Sequence, residues 1–152
     1  MFKIIIKLFL VLICMITIFV FSSDNGSVSS KRSDTLIIKI YRIFNKRNIS
    51  NTKKKRIIDK NVVFVRKSAH VIIYFLLGLS LISLIKEFGL ININAIFISL
   101  LIAFLYACSD EVHQMFVPGR SCEVLDVFID SIGSFIGIYF YYLIYKFRRR
   151  KV

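Results

Sequence analysis

Four apolar runs, each close to the thickness of a bilayer, limit what this 152-residue chain can fold into. They extend over about Phe2 to Phe21, Ala69 to Ile85, Ile91 to Cys108 and Val127 to Tyr145. Crossing about 30 Å of hydrocarbon takes roughly 17 to 25 helical residues. The second run is the shortest, and Val62 to Val65 offers it an extension. A backbone in lipid has no water to bond, so runs of this kind can span only as helices. With 57% hydrophobic residues, 15 Phe and a mean hydropathy of +0.70, the chain cannot cover itself with a polar surface. The expected fold class is all-α, a multi-pass bundle of four transmembrane helices forming one domain over residues 1–152 in the cell membrane.

The first run also has the outline of a signal peptide, a short basic start and then an apolar core. Its core is longer than usual, and Phe19 and Phe21 make a poor small-residue cleavage site. It reads better as a retained helix. Between the first and second runs lies a basic loop, about 22–67, that is Ser-rich at first and then rich in Lys and Arg. Within it, Leu36 to Arg47 can place Lys39, Arg42, Lys46 and Arg47 away from an apolar side, as an interfacial helix on anionic lipid does. The stretch Asn45 to Lys60, with Lys53-Lys54-Lys55-Arg56, is low in complexity and reads as a flexible segment held near phosphate head groups. A simple solvated linker is the competing reading. Nucleic acid is not an expected partner despite the net charge of +13, because no folded reader is present. The expected partner is a membrane lipid or a lipid-linked anionic head group.

The chemistry concentrates between the third and fourth runs. Ser109-Asp110-Glu111-Val112-His113-Gln114-Met115-Phe116-Val117-Pro118-Gly119-Arg120, followed by Asp126 and Asp130, gathers acids, a histidine and an arginine at a membrane edge. Ionisable groups there are tolerated when they pair, bind or react. Lys67, His70 and Tyr74 fall at i, i+3 and i+7 at the start of the second helix, with Arg66 one turn before His70. Asp110, His113 and Gln114 share a face at the end of the third. Asp126, Asp130, Gly133 and Gly137 are spaced four, three and four on the last helix, so two acids lead into a Gly-x-x-x-Gly surface suited to close contact, here expected with the third helix. Because successive helices alternate in direction, these three polar faces share one membrane side. Pro118-Gly119 is the turn between the last two helices.

These residues resemble the VanZ-like membrane proteins, a family named for a protein associated with teicoplanin resistance. The resemblance covers most of the chain. It rests on Phe21-Ser22-Ser23, on Arg66-Lys67-Ser68-Ala69-His70 with Tyr74 and Gly78, on Ser109-Asp110-Glu111 with His113-Gln114, on Phe116-Val117-Pro118-Gly119-Arg120, and on Asp126 with Asp130 and Gly133. Ile73 stands where many relatives carry a carboxylate, Asp24 where Gln is frequent and Cys122 where Gly is common. The resemblance implies a retained first helix and the four-helix membrane fold, but no settled reaction.

Two functional classes therefore stay open. In the first, an enzyme, Asp110, Glu111, His113, Asp126 and His70 are the catalytic candidates, and Lys67, Arg120, Gln114, Tyr74 and Arg66 the substrate-binding ones. A divalent metal is the candidate cofactor, with Asp126 and Asp130 as its ligands and Asp110 and Glu111 as further oxygen donors, and the reaction is metal-assisted hydrolysis or transfer at a lipid-linked phosphate. In the second, the same groups recognise an anionic lipid or cell-envelope precursor head group without turnover. A transporter is a weaker third reading, since no internal repeat is visible. Charge counts disagree on orientation: Lys3, Lys7, Lys86 and the Lys146 to Lys151 cluster argue for cytoplasmic termini, the larger basic count of the 22–67 loop for the reverse. Work near the outer leaflet, suggested by the resemblance, favours cytoplasmic termini. Cys108 and Cys122 flank the motif turn and are expected as free thiols.

Overall fold

The computed structural model describes residues 1–44, 50–89 and 93–149. They form α1 (Phe2–Ser23), α2 (Gly26–Phe44), α3 (Asn51–Ile85), α4 (Ile93–Gln114) and α5 (Val124–Arg149), and a 3-10 turn over Lys86–Phe88 continues α3. Four of these helices, α1, α3, α4 and α5, are long and apolar enough to cross a membrane, and no strand occurs among the described residues. The fold is an all-α membrane bundle. Its surface carries the large side chains, among them Phe9, Ile16, Phe97, Leu105, Phe128 and Ile132, which is the inversion expected when lipid is the solvent.

What faces inward is small. On α4 the buried stripe is Ala95, Ser99, Ala103 and Ala107, one residue per turn, and it ends in Asp110, Glu111 and Gln114. On α1 it is Val11, Cys14, Ile18 and Ser22. Lipid tails are as apolar as Leu, so helix association rests on dispersion and interhelical hydrogen bonds, and both improve as backbones approach. The closest approach is between α3 and α5, the largest interface in the bundle. A Cβ on Gly133 would lie 2.8 Å from the Val71 carbonyl oxygen, and one on Gly78 or Gly137 would overlap the backbone of Ser134 or Phe75. The glycine stripe therefore packs on the second spanning helix rather than the third, contrary to the sequence expectation. Spacing shows that the acids and glycines share a stripe. It carries no information on which neighbour the stripe meets.

The 22–67 segment is helical where it is described. The helix expected from Leu36 begins at Gly26, ten residues earlier, and buries Ser29, Ser33, Ile37 and Ile38 at near-four spacing against α3. Asn45–Arg47 lie outside the described residues. Asn51 to Lys60 is not a flexible tract but the first turns of α3, whose start is capped by the Ser50 hydroxyl accepting from the Lys53 amide at 3.4 Å. Lys, Arg and Asn are tolerated in helices, and contact with α2 decides the outcome that composition left open. At 35 residues α3 is about 52 Å long, more than the roughly 30 Å that bilayer hydrocarbon needs.

Candidate functional site

At one end of the bundle the polar residues of all four spanning helices meet. Gln114 is the centre of the arrangement and is 5% exposed. Its Nε2 donates to Asp110 Oδ2 at 3.2 Å and Glu111 Oε1 at 3.2 Å, and lies 3.4 Å from Ser22 Oγ. Its Oε1 accepts from Arg120 Nη1 at 3.2 Å. Ser22 in turn donates to Asp110 Oδ2 at 2.9 Å, which ties α1 to α4. The other Glu111 oxygen accepts from the backbone N–H of Glu123 at 2.9 Å. A helix start leaves its first N–H groups without intrahelical partners, so Glu111 does from α4 what the glutamate of a capping box does within one helix.

Arg120, expected to grip substrate, closes the end of α1. Its Nη2 donates to the Phe21 carbonyl at 2.7 Å and its Nε to the Asp24 carbonyl at 3.0 Å, where the helix dipole favours a cation. Gly119, at φ 74°, makes the turn that delivers it, and the Pro118 carbonyl accepts from the Gly26 amide at 3.1 Å. Burial, then the neighbouring Arg66, lowers the Arg120 guanidinium from its ordinary value, although it stays charged. Three of its five donors are committed to these bonds, leaving two.

Asp126, expected as a metal ligand, is engaged elsewhere. Its carboxylate pairs with Lys67, whose ammonium also reaches Glu123 Oε2 at 3.0 Å, so that α3 and the first turn of α5 are latched together. An acid in a first helical turn is stabilised there by the dipole, which is why this position suits a structural carboxylate. Lys67 holds the Glu123 carboxyl below its usual range. His113 turns toward α1, where it hydrogen-bonds Ser23 Oγ at 3.0 Å and stacks on Phe19 with centroids 4.7 Å apart.

The residues that do gather are His70, Asp110 and Asp130. Each offers one ligand atom, and these atoms all lie within 4.8 Å of one another. His70 Nδ1 is 3.6 Å from Asp130 Oδ2, beyond hydrogen-bond length, and among the described residues neither Asp130 oxygen has a hydrogen-bond partner although the residue is 1% exposed. The Tyr74 hydroxyl, fully buried, also lacks one, and it is within electrostatic range of both aspartates. At an effective dielectric of 20, two carboxylates about 5 Å apart repel by roughly 3 kcal/mol. Such a pair needs a cation, a proton or more donors.

His70 also lines a cavity of about 120 Å³ between α1, α2 and α3. Ile18, Phe21, Leu36, Val65, Ala69 and Ile73 form its apolar walls, Arg32, Arg66, Arg120 and His70 bring nitrogen to it, and Asp24, Ser29 and Ser33 bring oxygen. Arg32 is paired with Asp24 and lies over the Phe21 ring at 5.5 Å. Arg66 makes no hydrogen bond or ion pair among the described residues.

Sequence reasoning left Ser22 and Glu123 out of the site. Ser22 was legible as the polar end of the 11, 14, 18, 22 stripe, whereas nothing local marks Glu123. Cys14, Cys108 and Cys122 are free thiols. No curated protein and no solved structure matches this chain. The model of the VanZ/LLP1 family matches residues 7–145, nearly the whole bundle including every residue of the polar network, and on that match the chain belongs to the VanZ/LLP1 family.

Proposed function

We propose that this VanZ-like membrane protein crosses the cell membrane several times and binds the anionic head group of a lipid or lipid-linked cell-envelope precursor, and that this binding underlies a link to glycopeptide (teicoplanin) resistance. One observation carries the reading: a single cavity combines apolar walls with Arg32, Arg66, Arg120 and His70. Arg66 and Arg120 both line it, and Arg66 makes no hydrogen bond or ion pair among the described residues, which favours an anion between them. The apolar walls favour an acyl or prenyl chain below it. At about 120 Å³ the cavity is well under the roughly 300 to 1,000 Å³ of a drug-sized pocket, which suits a phosphate-sized group with its chain left in the bilayer. In this reading the termini are cytoplasmic and the cavity opens toward the outer leaflet.

The test is native mass spectrometry of the purified full chain, titrated with a polyprenyl phosphate, phosphatidylglycerol and an uncharged diacylglycerol. The two phosphate-bearing amphiphiles should bind and the neutral one should not, and Arg66→Ala should weaken binding about tenfold, or 1.4 kcal/mol. Equal retention of all three lipids, or an unchanged Kd in Arg66→Ala, would overturn the proposal. In a complemented strain, Arg66→Ala should also lower teicoplanin resistance at unchanged protein abundance.

A further inference from the structure

We infer that His70, Asp110 and Asp130 form a binding site for one divalent first-row transition ion such as Zn²⁺ or Mn²⁺. The three side chains come from α3, α4 and α5, and their ligand atoms lie within 4.8 Å of one another. The 3.6 Å between His70 Nδ1 and Asp130 Oδ2 is close to the roughly 3.4 Å that separates two ligands of a tetrahedral ion with bonds of about 2.1 Å. One imidazole with two carboxylates suits a transition ion. Mg²⁺ and Ca²⁺ prefer oxygen alone.

The unpartnered atoms are the independent observation. Buried polar groups in proteins are nearly always hydrogen-bonded, yet both Asp130 oxygens and the Tyr74 hydroxyl are buried beside the same cluster without a hydrogen-bond partner among the described residues. A doubly charged ion would neutralise Asp110 and Asp130 together with a neutral His70, and give the Asp130 oxygens what they lack. The Tyr74 hydroxyl then supplies a further oxygen or donates to a carboxylate already on the ion. Neighbouring groups are accounted for otherwise: Asp126 by Lys67, Glu111 by Gln114 and the Glu123 amide. The inference stands whether or not the cavity takes a lipid, although an ion here would adjoin it through His70.

The test uses the full chain in detergent, stripped with a chelator, re-equilibrated with Zn²⁺ or Mn²⁺ alone and desalted before elemental analysis. About one ion per chain should remain. Asp130→Asn and His70→Ala should lose more than about 100-fold in affinity, beyond the 10- to 100-fold that loss of an outer partner costs, and Tyr74→Phe should lose about tenfold. Asp126→Asn should bind as the wild type does. Should the ligand variants fail to fold, X-ray absorption of the wild-type Zn²⁺ form decides: a nitrogen and oxygen shell with one imidazole supports the site, and sulfur scattering from the cysteines overturns it. Well under one ion per chain, or undiminished binding in Asp130→Asn, would show that the aspartates share a proton instead of an ion.

Discussion

Replacing Gly137 by Ala probes the contact that sets the whole site. The new Cβ would overlap the Phe75 carbonyl oxygen and sit 3.0 Å from the Phe75 carbonyl carbon and 3.1 Å from the Leu79 amide nitrogen. Carbon contacts are comfortable at about 3.5 to 4.0 Å, and the obstacle is backbone, so α5 must withdraw from α3 by on the order of 1 Å. Overpacking of this kind costs about 1–3 kcal/mol, against which Ala gains about 1 kcal/mol over Gly in a helix interior. The net loss should fall within about 0–2 kcal/mol, at the upper end here because the obstacle is backbone, and be smaller for Gly133→Ala, whose nearest obstacle is 2.8 Å away. Asp130 lies seven residues from Gly137, about 10 Å along α5, so the displacement should also carry its carboxylate away from His70. Equilibrium unfolding of the detergent-solubilised protein in increasing SDS gives the first quantity, and loss of metal or lipid affinity reports the second. A Gly137→Ala protein as stable as the wild type, or one less affected than Gly133→Ala, would refute the close α3–α5 packing on which the site geometry depends.

Lys67→Ala removes the common cation of Asp126 and Glu123, and because these groups are part-exposed the loss should be only about 1 kcal/mol in the same unfolding assay, with Lys67→Arg restoring most of it. Since Lys67 depresses the folded Glu123 carboxyl, that contribution is present above the ordinary carboxylate value of 4.5 and should fade as pH falls below it, a dependence that Glu123→Gln should remove. In metal-free protein, Tyr74→Phe deletes a buried hydroxyl that has no hydrogen-bond partner among the described residues, and melting curves should show stability unchanged or raised by about 1 kcal/mol. Cys122 is exposed on the motif side while Cys14 is buried. A membrane-impermeant maleimide should therefore label intact cells at Cys122 if that face is extracytoplasmic, and labelling only after lysis would reverse the proposed orientation.

The helix-rich membrane architecture was legible because it follows from length and composition: a run of about 20 apolar residues has one way to satisfy its backbone in lipid. The shared membrane side of Lys67, His70, Asp110, Asp126 and Asp130 was legible too, since alternation of direction imposes it. The helicity of the basic segment was not, because residues such as Asn51 to Lys60 are compatible with helix or coil until a partner surface is present. Nor were the pairings within the site. Asp110, Asp126 and Asp130 are indistinguishable by charge, yet one bonds Ser22 and Gln114, one bonds Lys67, and one faces His70 with no hydrogen bond among the described residues.

Periodicity, in other words, assigns a residue to a face of its own helix, and the sequence by itself determined that much: four spans, one polar end, and a stripe on α5 carrying both acids and both glycines. Rotation about the helix axes and the choice of neighbour depend on how close two backbones can come, which is a property of pairs of surfaces. Only the tertiary structure could decide that Gly133 and Gly137 meet α3, that Arg120 closes α1, and that His70, Asp110 and Asp130 face a common point, because each is fixed by a partner 20 or more residues away in the chain.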